Sequence, residues 1–335
     1  MKNKDNIIEV EDLEINFLHN HNIIKAVNGV SFHIKKGETL GFVGESGCGK
    51  STTAKAVMRL LAENANITQG SINYLDQEIL DLNDDQLRGV RGKEIGMIFQ
   101  DPMTSLNPVL TIKEQIFEQY IGTRMTKKEK KQAAISMLEY VGIPAPERRI
   151  KDYIYQFSGG MRQRAMIAIT LAAKPKLLIA DEPTTALDVT IQDQIIKLIN
   201  RMKKELDMSV LLITHDLGVI SQMCDKVAVM YAGYIVEYAD VITLFATPRH
   251  PYTKGLIEAI PSKNKDERPL KSIPGTTPNM QTIGVGCPFA ERCEYCTDKC
   301  TEVLPELVDI GEGHMTRCHY PQRLDTYEGL IKISE

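Results

Sequence analysis

Between Val43 and Thr52 the chain reads Gly44-Glu45-Ser46-Gly47-Cys48-Gly49-Lys50-Ser51. Three glycines followed by a lysine and a hydroxyl fit the spacing G-x-x-x-x-G-K-[ST]. Such a loop constrains its neighbours, because a strand must deliver it and a helix must receive it. Both are present in pattern: Glu38–Val43 is a short apolar run, and Lys50 to Ala62 is helix-like. Glycines allow the loop to wrap until backbone N–H groups converge on phosphate oxygens. The helix N-terminus adds a partial positive charge. In that setting Lys50 neutralises β- and γ-phosphates, Ser51 offers a hydroxyl to Mg²⁺, and Thr52 adds an α-phosphate contact. A purely structural glycine turn is the alternative, and the flanking strand and helix weigh against it.

The rest of the chain supplies a matching scaffold. Ile8–Phe17 and Ala26–Ile34 alternate apolar and polar residues around a polar turn, His19–Asn22, which predicts two paired strands. Ser71–Leu80 reads as a further edge strand, and residues 102–173 are mostly helical in pattern. Leu177–Ala180 and Val210–Thr214 are continuous apolar runs typical of buried strands, and Val189–Leu206 is an amphipathic helix between them. Strands that bracket helices in this way predict an α/β fold with a parallel sheet. Val227–Tyr231 and Tyr234–Tyr238, joined through Ala232-Gly233, predict a hairpin. Near Pro248 proline, glycine and cysteine become frequent, which sets a boundary at about 240–250.

Two further segments carry chemistry. Leu177–Ala180 ends in Asp181-Glu182. Acids at the C-terminal end of a strand face the ligand crevice of an α/β sheet. There Asp181 can hold Mg²⁺ through water and Glu182 can take a proton from, or orient, an attacking water. Alone the pair would read as solvated acids; the upstream phosphate loop reverses that. Ser158-Gly159-Gly160-Met161 opens a stretch rich in arginine and alanine. It reads equally as a second anion-binding helix start and as a plain N-cap on Ser158.

Length and charge exclude several classes. At 335 residues, two domains are expected. A net charge of −4 argues against nucleic acid as the main ligand. No apolar run approaches the roughly 18 residues of a membrane span. Met1 to Glu14 is charged and lacks the apolar core of a secretory signal.

Taken in order, the loop at 44–51, Gln100, Ser158–Met161 with Arg162-Gln163-Arg164, Asp181-Glu182, Leu187-Asp188 and His215 resemble the Walker A, Q-loop, signature, Walker B, D-loop and H-loop of an ABC-type ATPase. The resemblance spans roughly residues 7–245. The signature departs from Leu-Ser-Gly-Gly-Gln at Phe157 and Met161. It implies a P-loop ATPase with a RecA-like core, an antiparallel β subdomain and a helical subdomain at about 102–173. Phe17 falls where the family stacks an aromatic ring on adenine; a core position in the N-terminal sheet is the other reading. The family mechanism assigns Gln100 to sensing Mg²⁺ or the γ-phosphate and Glu182 and His215 to the reacting phosphate. It also assigns Ser158–Met161 to the ATP of a partner cassette.

The resemblance narrows further. Phe99-Gln100-Asp101-Pro102-Met103-Thr104-Ser105-Leu106-Asn107-Pro108, the run Asp181-Glu182-Pro183-Thr184-Thr185-Ala186-Leu187-Asp188-Val189-Thr190, and His250-Pro251-Tyr252-Thr253 look like the oligopeptide and dipeptide importer group. Gly286-Cys287-Pro288-Phe289-Ala290-Glu291-Arg292-Cys293 completes the match. This implies a cassette over 1–245, a C-terminal extension over 246–335, and a peripheral position on the cytoplasmic side of the cell membrane. The implied partners are a second, homologous ATPase chain, two membrane-spanning permease subunits and, indirectly, an extracytoplasmic substrate-binding protein. Nickel-uptake ATPases share these segments and form the alternative within the group. A soluble, non-transport ABC ATPase is the alternative outside it, but that class carries two cassettes or long insertions.

Of seven cysteines, Cys48 and Cys224 are isolated, and five crowd between Cys287 and Cys318. Clustered thiolates in a reducing compartment suit a soft metal, zinc or iron–sulfur; free thiols with no metal are the alternative. Two ligand sets compete: Cys293, Cys296 and Cys300 with Cys318, or Cys287, Cys293 and Cys300 with Cys318. The second is the set that importers resembling this chain use for a [4Fe–4S] cluster, which leaves Cys296 as a neighbour.

Overall fold

A computed structural model describes residues 5–185, 187–260, 272–281 and 283–324. Ala186 of the Asp181–Thr190 run, and parts of the 246–335 segment, therefore lie outside the described residues. The chain forms two compact units, one of residues 1–34, 39–80 and 212–335, the other of 35–38 and 81–211.

The first unit begins with strands β1 (Asn6–His19) and β2 (Asn22–Lys35). They are joined by Asn20 and His21, both at positive φ (49° and 64°). That geometry matches the right-handed twist of a tight hairpin. Strands β3 (Thr39–Val43) and β4 (Ala65–Tyr74) enclose helix α1 (Lys50–Val57), and β5 (Gln77–Glu78) follows. One sheet runs β2-β1-β4-β5. β1 pairs antiparallel with β4 through a register shift between Glu11 and Ile15. The shift keeps Leu13 and Ile15 in the core beside Ile8 and Val10, where strict alternation would have turned them out. The β strand expected at Ser71–Leu80 is thus two strands, with its turn at Leu75 and Asp76. Helix α1 stops earlier than Ala62, because Arg59 turns into the left-handed region (φ 47°).

The second unit opens with α2 (Asp84–Val90), β6 (Ile95–Ile98), α3 (Pro102–Ser105), α4 (Ile112–Glu118), α5 (Lys127–Tyr140), α6 (Pro146–Arg149) and α7 (Gly159–Leu171). Sequence start signals explain the helices: Thr111 with Glu114, and Thr126 with Glu129, form reciprocal capping boxes. Strand β7 (Leu177–Asp181) pairs parallel with β6, and α8 (Val189–Leu206) buries Ile195, Leu198, Ile199 and Met202 on one stripe. Strand β8 (Ser209–Thr214) is buried throughout, and the division between units falls within it. The sheet order on this side is β8-β7-β6.

The first unit resumes with α9 (Leu217–Met223), β9 (Lys226–Tyr231), β10 (Tyr234–Asp240), α10 (Val241–Ala246) and α11 (Pro251–Glu258). Beyond lie α12 (Asp298–Glu302), β11 (Val308–Asp309) and β12 (Met315–Thr316). Here the order is β11-β12-β10-β9-β3, with β8 beside β3. β3 and β9 run parallel, and β9–β10 is the expected hairpin, turning at Ala232 and Gly233. Strand β12 pairs antiparallel with β10, Glu237 opposite Thr316. The cysteine-bearing extension is therefore hydrogen-bonded into the same sheet as the phosphate loop's strand. Among the described residues no helix is long and apolar enough to cross a membrane.

Candidate nucleotide-binding and catalytic groups

The loop after β3 has the backbone its glycines foretell. Gly49 sits at φ 104°, and a Cβ there would lie 2.6 Å from the carbonyl of Ala26. A Cβ on Gly44 would lie 2.1 Å from the carbonyl of Met230. Only glycine fits at either place. Lys50 is 4% exposed. Its ammonium donates to the carbonyls of Gly44 (2.7 Å) and Glu45 (2.8 Å), so the cation already faces the loop interior. Burial pushes the Cys48 thiol up, even though Lys50 Nζ lies 3.6 Å from its sulfur. That thiol is inert packing rather than a nucleophile. Ser46 and Gly47 are exposed at the loop's crest, and Ser51 and Thr52 start α1, half-buried.

Three other residues of this unit were singled out from sequence. Phe17 is half-buried near the end of β1, opposite Ala65, not a fully buried core residue. His215 follows β8 and is exposed, immediately before Asp216, which caps α9 by accepting from Gly218 and Val219. Glu45 is turned away from the loop interior. Its N–H donates to the Tyr252 hydroxyl (2.9 Å), and its carboxylate takes two bonds from the Arg292 guanidinium (2.8 and 3.0 Å). Tyr252 and Arg292 appear in the sequence only as members of longer motifs, and nothing in their spacing signals these bonds.

In the second unit the fully buried strand β7 delivers Asp181, 3% exposed, and Glu182. Glu182 holds a left-handed backbone, φ 48°, which costs a non-glycine residue about 1–3 kcal/mol. Its Oε2 accepts from Gln100 Nε2 (2.8 Å) and from Thr185 Oγ1 (2.8 Å). Two residues read from the sequence as catalytic thus touch, and Thr185, not singled out there, fixes the same oxygen. The left-handed backbone and the two donors fix the orientation of this carboxylate.

Helix α7 starts at Ser158, whose hydroxyl accepts from Met161 N–H at 3.4 Å. The N-cap reading is the one seen here; the bond is long, and Ser158 and Gly159 are exposed. Gln163 Nε2 donates to the carbonyl of Pro183 at 2.6 Å within a buried contact. This bond fastens the Ser158–Met161 helix to the turn after Glu182, a role the sequence reading did not assign. Asp188 caps α8 by accepting from Ile191 N–H at 3.0 Å.

In the extension, Cys287, Cys293, Cys300 and Cys318 line one small cavity together with Phe289, Tyr320 and His319, whereas Cys296 does not line it and is exposed. Burial pushes Cys287 up to about 12 and Cys293 to about 11, and the neighbouring Cys318 and Cys300 thiols push both the same way. These four are the expected ligand set. Among the described residues no group of three or more His, Cys, Asp and Glu side chains is placed to hold a metal ion. The donor chemistry of four thiols around one space suits a soft metal, zinc or iron–sulfur, without distinguishing the two.

The ABC transporter family matches residues 27–185, and the family described as "Oligopeptide/dipeptide transporter, C-terminal region" matches 236–300. A probable peptide ABC transporter ATP-binding protein, y4tR, of Sinorhizobium fredii is 49% identical over 94% of this chain and 95% of its own length. The dipeptide transport ATP-binding protein DppD of Bacillus subtilis is 46% identical over 94% of both chains. The oligopeptide transport ATP-binding protein OppD of Salmonella typhimurium is 46% identical with the same coverage. Among solved structures, the ATP-binding cassette MJ0796, determined as a post-hydrolysis dimer with ADP and Pi, superposes with a TM-score of 0.63 at 28% identity. That match covers 70% of this chain and 98% of the cassette. The chain belongs to the family of ABC transporter ATP-binding proteins, in its oligopeptide/dipeptide branch.

Proposed function

We propose that this chain is the ATP-hydrolysing subunit of a di- or oligopeptide importer and works at the cytoplasmic face of the cell membrane. Its partners are a second, homologous ATPase chain, two permease subunits and, indirectly, a substrate-binding protein. The cassette occupies 1–245, with its helical part at about 102–173, and the importer-type extension occupies 246–335. The relatives' names and the matched extension support the peptide cargo.

The roles follow the chemistry of each group. Gly44 to Thr52 receive the triphosphate on backbone N–H groups. Lys50 exchanges its two loop carbonyls for β- and γ-phosphate oxygens; Ser51, Asp181 and Gln100 are the residues that would hold Mg²⁺, which would neutralise charge on the phosphates. Glu182 orients the attacking water and receives its proton. His215 contacts the γ-phosphate, and Phe17 stacks on the base. Ser158, Gly159, Gly160 and Met161 close over the ATP of the partner cassette, with Asp188 beside them. Phosphoryl transfer is then chiefly positioning and charge neutralisation. ATP drives closure by binding the closed pair better than the open one. Cys287, Cys293, Cys300 and Cys318 would hold a [4Fe–4S] cluster, whose four thiolate bonds pin a segment too small to build its own core.

One observation carries the hydrolytic reading: the Glu182 carboxylate, on strained backbone, fixed by Gln100 and Thr185. Glu182→Gln, in the assembled complex, is expected to bind ATP normally and to lose about 10²–10⁴-fold in turnover. Steady-state hydrolysis at the unmodified rate would remove Glu182 from the reaction.

A further inference from the structure

Glu45 is chemically odd for its position. It is the second residue of a loop whose proposed ligand is a polyanion, and it brings a negative charge there. The structure compensates that charge from the C-terminal extension. Arg292 donates to both carboxylate oxygens, at 2.8 and 3.0 Å. The pair is well shielded, with side-chain exposure of 7% for Arg292 and 25% for Glu45. Such bidentate pairs fix geometry as well as charge.

Arg292 is itself immobilised. Its Nε donates to the carbonyl of Pro274 (2.8 Å), its guanidinium donates to the Tyr231 hydroxyl (3.2 Å), and the group lies over the rings of Tyr231 and Phe289. The remaining polar groups of Glu45 are engaged as well: its N–H on Tyr252 and its carbonyl on Lys50. One loop residue therefore links the phosphate-seeking lysine to two side chains of the importer-type segment.

We propose that Arg292 is a positioning residue for the phosphate loop: it neutralises and orients Glu45, so that the extension sets the affinity of the loop for nucleotide. This rests on the reading of residues 44–51 as the nucleotide loop. With Arg292 gone, a bare carboxylate repels the incoming phosphates. With both charges gone, the repulsion disappears. A brace that served only folding would show no such rescue.

The test is MgATP binding to the purified full chain, by calorimetry at low and high salt, with thermal unfolding in parallel. Arg292→Met is expected to raise Kd about tenfold at low salt, and less at high salt. Arg292→Lys, which keeps the charge but not the fork, is expected to fall between. Glu45→Gln combined with Arg292→Met is expected to return Kd to within about threefold of the unmodified protein, although both variants melt lower. A Kd for Arg292→Met within twofold of the parent overturns the proposal. So does a double variant that binds no better than Arg292→Met alone. Lys50→Ala separates the two levels: unchanged MgATP binding by that variant would overturn the loop assignment itself, and the positioning role with it.

Discussion

Glu237 lies in the middle of β10 and is wholly buried, and its carboxyl group is the acceptor for three donors. Backbone N–H groups of Arg249 and His250 reach it at 2.6 and 2.9 Å, and His314 Nε2 lies 2.7 Å away. One side chain thus anchors both the start of α11 and the loop before β12. Glu237→Ala would remove the partner of all three groups, two of them fully buried. An orphaned buried donor costs about 1–3 kcal/mol, and relief from burying the carboxyl group offsets part of the sum. With that offset the net loss is about 3 kcal/mol. For a unit of this size that corresponds to a fall in Tm of about 10 °C. The chain has no tryptophan and 12 tyrosines, so tyrosine fluorescence or near-ultraviolet circular dichroism follows the melt. Limited proteolysis should show the chain cut first around His314 and β12. Glu237→Gln, which keeps shape and one acceptor oxygen, should lose about half as much. His314→Ala should add little in the Glu237→Ala background, because the shared bond is already gone. A Tm within about 2 °C of the parent for Glu237→Ala would refute the anchoring role.

Three further expectations follow. Burial, reinforced by the nearby Arg317 guanidinium, pushes His250 down to about 3, in keeping with Nδ1 accepting the Tyr252 N–H. The unfolded chain protonates this residue near 6.5, so its contribution to stability is complete above that pH. It is lost as pH falls toward 3, with a slope of at most about 1.4 kcal/mol per unit; denaturant titrations of His250→Gln should show a flatter dependence across that window. Gly49→Ala places a Cβ against a backbone carbonyl at a φ that alanine resists, so a loss of at least about 2 kcal/mol and of measurable MgATP binding is expected. Anaerobically purified protein should contain iron and acid-labile sulfide that Cys300→Ser loses and Cys296→Ser keeps; stoichiometric zinc without sulfide would exclude the cluster.

The parts of the fold that follow local rules were readable in advance. The hairpin at Ala232-Gly233 and helix α8 from Val189 to Leu206 fall where turn residues and periodicity put them. So does the apolar strand ending in Asp181-Glu182. What sequence did not disclose is pairing between distant residues. Gln100 and Glu182 are 82 positions apart and Arg292 and Glu45 are 247 apart. No periodicity encodes such a bond, since it depends on where whole elements come to rest. The same applies to Gln163, which looks like a surface polar residue of a helical run until its amide is found on a buried carbonyl. The early end of α1 has a different cause: a single residue, Arg59, leaves the helical region in a stretch whose composition would allow the helix to continue.

The pairing of β12 with β10 also bears on how the protein can be handled. An uncovered strand edge offers a row of unpaired N–H and C=O groups to any other chain. Here the extension closes that edge and ends it in β11, a strand of two residues, which is too short a template for further addition. Cutting the chain after the cassette at about residue 245 would strip this cover from β10 and expose Glu237 without its partners. Truncated cassettes of this branch are therefore expected to precipitate or self-associate on expression, and the shortest workable fragment must extend past Thr316.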